Sequence, residues 1–131
     1  MLGCREMDDR AADIRARAFS LACEVTKAAM DVRRPVSFSI IDQLLRASTS
    51  VGANLEEAKA ASSQREFIRM CEISLREARE AAYWIRICVT VQMLPPSAAR
   101  LQAEANEIAR ILATIVLNTK RRLAAQDAVA E

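Results

Sequence analysis

A chain of 131 residues is long enough for one domain with a genuine hydrophobic core. Apolar residues make up 52% and aromatics only 4%, with two Gly and three Pro, a balance that favours helices around an aliphatic core. The net charge of +2 is too small to argue a nucleic-acid partner by itself, and the absence of His excludes Ser–His or Cys–His nucleophiles and the Glu-x-x-His pairs of di-iron bundles.

The first ten residues carry Glu6, Asp8 and Asp9 where a secretory signal needs an uninterrupted apolar run. No apolar run approaches the ~20 residues that span a bilayer. The expectation is a cytoplasmic protein without a membrane partner. A first helix is predicted over about 9–32, with Asp8 or Asp9 at its start. Ala11, Ile14, Ala18, Leu21, Val25, Ala29 and Val32 keep a seven-residue repeat along it. Arg33-Arg34-Pro35 ends it, because the residue before Pro is pushed out of the helical region.

A second helix is predicted over about 38–60, with Ser37 as its cap. Leu44, Ser48, Val51, Leu55 and Ala58 fall on one face. Ser48 and Gly52 are small and four apart, so another helix can come close there. That contact would offset the cost of a mid-helix Gly, about 1 kcal/mol relative to Ala. Arg46, Ser50, Asn54 and Glu57 form a polar stripe beside the apolar face. The stripe has three readings: a solvated face, an internal network with Ser74 and Glu77 of the next helix, or a binding surface.

Ala61-Ser62-Ser63 connects to a third helix over about 64–91, opened by a capping box between Ser63 and Glu66. Phe67, Cys71, Ser74, Ala78, Ala81, Ile85 and Cys88 alternate four- and three-residue steps, while Met70, Ile73, Trp84, Ile87 and Val91 widen the apolar face beyond one seam. Glu72, Arg76 and Glu80 are spaced for ion pairs along the helix, worth about 0.2–0.5 kcal/mol each. Leu94-Pro95-Pro96 breaks the chain and Ser97 suits the cap of a fourth helix over about 98–122. Leu101, Ala105, Ile108, Leu112, Ile115 and Thr119 line that helix, and 123–131 is expected to fray. The whole chain, 1–131, is thus predicted to be one all-α domain, an up-down-up-down four-helix bundle about 35 Å long.

Chemistry is sparse. Cys4, Cys23, Cys71 and Cys88 include no C-x-x-C pair, and Cys23, Cys71 and Cys88 are expected as buried small hydrophobes. Glu57, Glu77, Glu104 and Glu107 invite comparison with a di-iron site that cannot be completed without His. We therefore expect no catalytic residues, no metal, no cofactor and no enzymatic activity. The bundle topology gathers Arg5, Arg10, Lys59, Arg65, Arg69, Lys120, Arg121 and Arg122 at one end as candidate nucleic-acid contacts, among acids that nearly cancel them. The apolar surplus of the third helix makes Met70, Trp84 and Ile87 the candidate subunit interface of a homo-oligomer.

Two segments carry a family resemblance. Arg46-Ala47-Ser48-Thr49-Ser50-Val51 with Asn54-Leu55-Glu56-Glu57-Ala58 is one. Ser74-Leu75-Arg76-Glu77 with Glu80-Ala81-Ala82-Tyr83-Trp84-Ile85 is the other. Together with the last helix, from Ile108 to Lys120, they resemble the bacterial four-helix bundle proteins described as 23S rRNA intervening-sequence proteins. The similarity runs from about Phe19 to Arg122, and Ala58 stands where many members have Gly. The resemblance implies a closed homo-oligomer, commonly a ring of five, and association with RNA or another nucleic acid in place of catalysis. A related branch resembles the accessory variability protein of diversity-generating retroelements. That branch implies an alternative role as adaptor for a protein partner such as a reverse transcriptase.

Overall fold

The computed structural model describes the backbone of residues 2–32 and 38–130 and the side chains of residues 12–32 and 39–130. Arg33, Arg34, Pro35 and Ser37, the sequence signals between the first two helices, lie outside the described residues, as do the side chains of Cys4, Arg5 and Arg10. The helices are α1 (Leu2–Met30), α2 (Phe38–Lys59), α3 (Gln64–Thr90) and α4 (Ala99–Ala130), with a 3-10 turn at Pro96–Ala98 before α4. No strand occurs among the described residues.

Among the described residues each helix turns most of its predicted stripe inward, with Val32, Phe67 and Ile115 half-buried at its margin. Ile14, Leu21, Leu44, Ile85, Ile108 and Leu112 are the largest fully buried aliphatic side chains, and they interlock as heptad stripes do in a bundle. α1 and α3 each pack against both α2 and α4, so they occupy diagonal corners.

Local chemistry sets the ends. The Glu66 N–H donates to the Ser63 hydroxyl at 3.1 Å, which starts α3 as the capping pattern predicts. The Glu66 carboxylate reaches back one residue further than expected, accepting from the Ser62 N–H at 2.9 Å and the Ser62 hydroxyl at 2.7 Å. Those bonds hold its pKa below the ordinary carboxylate value.

Four sequence expectations are corrected. α1 begins at Leu2, so the acids at Asp8 and Asp9 lie inside it. α4 runs on to Ala130 instead of fraying after Arg122, because the tail has no Gly or Pro. Leu123 also packs partly onto the core, and Asp127 pairs with Arg65 of α3 at 2.9 Å. Ser97 sits inside the 3-10 turn, whose cap is Pro95, so it does not cap α4. Finally, Cys23 is exposed whereas Cys71 and Cys88 are buried, because Cys23 lies on the opposite side of α1 from Leu21 and Val25. Burial pushes the Cys71 thiol up to about 11.

Candidate functional site

The polar stripe of α2 divides into parts with different roles. Arg46 reaches across to α3, pairing with Glu77 at 3.1 Å and with Glu80. The Trp84 indole N–H donates to the same Glu80 carboxylate at 3.1 Å. The donation from Trp84, together with the bond and charge of Arg46, holds Glu80 below the usual carboxylate range. The bond to Glu80 and the charge of Glu77 in turn raise Arg46. Asn54 does not join this network: its side-chain amide donates to the Ser50 carbonyl of its own helix at 2.8 Å. Glu57 is exposed. Ser74 is fully buried and donates to the Val51 carbonyl of α2 at 2.6 Å. Of the four stripe residues only Arg46 is thus linked to Glu77, while Ser74 of α3 makes a separate α2–α3 contact.

Gly52 faces α1 as expected, but the approach there is not so close that it requires a glycine. A Cβ placed there would meet the Ala18 Cβ of α1 at 3.6 Å and the Phe19 backbone nitrogen at 3.8 Å, which is ordinary contact distance. Two ion pairs then join α1 to α4: Arg17 with Glu104 in two parallel bonds of 2.7 and 3.1 Å, and Arg100 with Glu24 at 2.9 Å. Glu77, Glu104 and Glu107 are each bound to an arginine. Among the described residues no group of three or more His, Cys, Asp or Glu is placed to share a metal.

The basic residues expected at one bundle end are partly neutralised. Arg65 is paired with Asp127, and Lys120 with Glu72 at 2.6 Å. Arg69 lies near Glu66, Arg122 donates to the Thr119 hydroxyl at 3.3 Å, and Lys59 and Arg121 are exposed.

The candidate interface on α3 is also partly consumed by the bundle itself. Met70 and Trp84 are half-buried against the chain's own core, and Ile87 is half-buried beside a surface groove. A further apolar surplus lies on α1. Ala12, Ala16, Phe19, Cys23 and Met30, with the polar Thr26 among them, follow the same four- and three-residue steps as the buried stripe but on the opposite side, and all are exposed. This second repeat is visible in the sequence. Only the packing of Ile14, Leu21 and Val25 shows which of the two faces inward. Between the helices, the void lined by Ile14, Leu55, Phe67, Cys71 and Leu112 measures about 20 Å³, room for one water and no more.

The model of the 23S rRNA-intervening sequence protein family matches residues 10–114. The chain belongs to that family. Among solved structures it is similar to a protein of unknown function from the S23 ribosomal protein family of Bacteroides thetaiotaomicron. The two are 25% identical with a TM-score of 0.75, over 82% of this chain and 97% of that one. No curated protein matches it. The span matched by the intervening-sequence protein model holds the Arg46–Glu77–Glu80–Trp84 cluster, Ser74 and the outward stripe of α1. It stops short of Lys120, Arg121 and Arg122. No helix of this family member is long and apolar enough, among the described residues, to cross a membrane.

Proposed function

We propose that this chain is a non-enzymatic scaffold that self-associates through the outward face of α1 and holds RNA in that assembled form. The observation that carries the reading is the second apolar stripe of α1, where Phe19 is 71% and Met30 77% exposed. Apolar surface is stabilised by about 25 cal/mol for each Å² removed from water. A helix that is apolar on two opposite sides has one side more than its own bundle can cover. A second copy of the chain supplies a matching surface. In a two-fold pair the stripe meets itself, whereas in the ring of five implied by the family resemblance it seats on a different face of the next copy.

The RNA half of the reading draws on family membership and on a basic complement that is mostly Arg, whose planar fork suits phosphate. Repetition in an assembly multiplies contacts that are weak in one copy. Light scattering and a mobility-shift titration with structured RNA at low and physiological salt test it together. The expected result is a mass that is a multiple of 14.5 kDa and RNA binding that weakens as salt rises. A lone 14.5 kDa species, or no RNA bound at either salt, contradicts it. Capture of a reverse transcriptase without RNA would instead favour the adaptor role.

A further inference from the structure

Arg76, Arg79, Tyr83 and Arg86 recur at three- and four-residue steps along the outward side of α3, and all four are exposed. The acids beyond the first turn of the same helix are turned aside. Glu72 is held by Lys120 of α4, and Glu77 and Glu80 are both held by Arg46 of α2. The ion pairs expected within the helix, Glu72 with Arg76 and Arg76 with Glu80, are therefore not formed. Among the described residues Arg76, Arg79 and Arg86 have no ion pair or side-chain hydrogen bond.

Tyr83 stands within this row, 58% exposed and edge-on to Trp84 with ring centroids 5.9 Å apart. The Trp84 indole is itself anchored on Glu80, so the tyrosine is supported from behind while most of it meets solvent. Beside it, Tyr83, Arg86, Ile87, Thr90 and Val91 line a shallow groove of about 310 Å³.

We infer that this ridge is a platform for unpaired RNA, with Tyr83 stacking on a base and Arg76, Arg79 and Arg86 contacting phosphates along the strand. The inference rests on the RNA reading above and moves its phosphate contacts from the bundle end to the face of α3. From Arg76 to Arg86 the helix rises about 15 Å, a span of several nucleotides. An exposed aromatic flanked by arginines matches a base with its phosphates better than either alternative does. Duplex RNA would satisfy the arginines but hides the faces of its bases. An acidic protein surface would leave the tyrosine and the apolar groove without a planar partner. The outward face of α3 lies diagonally across the bundle from that of α1, so pairing of α1 stripes with one another leaves the ridge open.

Fluorescence anisotropy of the full chain with a labelled oligouridylate of about 15 nucleotides, and with an RNA duplex of equal length, tests the ridge. Tyr83→Ala is expected to weaken oligouridylate binding about tenfold and Tyr83→Phe less than about twofold, since phenylalanine keeps the stacking face. Arg79→Gln with Arg86→Gln is expected to weaken binding and to flatten the slope of log affinity against log salt by about 1.4. The duplex is expected to bind more weakly than the oligouridylate. Unchanged binding in these variants, with loss on replacing Lys59 and Arg121 by Gln, overturns the ridge and leaves the RNA reading standing. Tighter binding of the duplex, indifferent to Tyr83→Ala, overturns the stacking role. An unaltered chain that binds neither RNA overturns both.

Discussion

The Ser74 hydroxyl donates to the Val51 carbonyl across the α2–α3 seam at 2.6 Å, with Ser74 fully buried. A small polar side chain in the middle of an aliphatic repeat thereby gains a partner and lets the two helix backbones approach. Ser74→Ala removes one hydrogen bond and is expected to cost about 1 kcal/mol, because the Val51 carbonyl keeps its place in the α2 ladder. Ser74→Leu forces four carbons into the same gap and is expected to cost about 1–3 kcal/mol or more. Urea unfolding of the two variants against the parent measures both, and equal stability of all three would show the seam to be loose.

The α1–α2 crossing behaves differently. The nearest atom to a Cβ at Gly52 is 3.6 Å away, so a methyl group fits without displacing α1. Gly52→Ala is expected to stabilise the protein by about 0.5–1 kcal/mol, through the lower conformational freedom of the unfolded chain. A fall in the thermal midpoint would mean that the crossing is tighter than ordinary contact.

At the end of α3 the chain turns through Gln92 in the left-handed region, φ 63°. The Met93 N–H donates to the Cys88 carbonyl at 2.8 Å and the Gln92 N–H to the Val89 carbonyl at 3.2 Å. This is the bonding pattern of a helix terminus that usually carries glycine. Gln92→Gly is expected to relieve about 1 kcal/mol of backbone strain, read as a raised denaturation midpoint. An unchanged or lowered midpoint would contradict it.

Glu80 supplies a pH signature. Its folded pKa is depressed by the Trp84 indole and by Arg46, so its contribution to stability is present above the unfolded carboxylate pKa. That contribution is lost as pH falls through the lower folded value. The stability difference between the parent and Glu80→Gln is therefore expected at neutral pH and should vanish in acid. The emission of Trp84, the single tryptophan, should shift over the same range below the ordinary carboxylate pKa. A difference that persists unchanged in acid would show that the carboxylate is not the source.

Much of the fold was legible because α3 and α4 keep their inward repeats at unbroken four- and three-residue steps and α2 carries its small residues on one face. The seam partners of Ser74 and Gly52 were not legible, since spacing marks a face and does not say which helix covers it. Arg46 shows the same limit. Glu80 is as well spaced for Arg76 within α3 as for any cross-helix partner, and only the packing of α2 beside it brings Arg46 to Glu77 and Glu80 and leaves Arg76 open. The turn at Gln92 carried no glycine to announce it. The extension of α4 rests on Leu123 and Asp127 meeting the rest of the bundle, which local composition does not reveal. On α1 both apolar repeats were present in the sequence at the same spacing, and only burial separates the inward one from the outward one.

The central claim is that copies of this chain meet through the outward face of α1 and that assembly multiplies contacts to RNA. Replacing Phe19 and Met30 together by Gln alters neither the charge nor a buried side chain, so RNA affinity at matched subunit concentration isolates the contribution of assembly. The parent is expected to bind at least about tenfold tighter than the double variant, with a larger mass by light scattering. Equal affinity and equal mass in parent and variant would contradict the account.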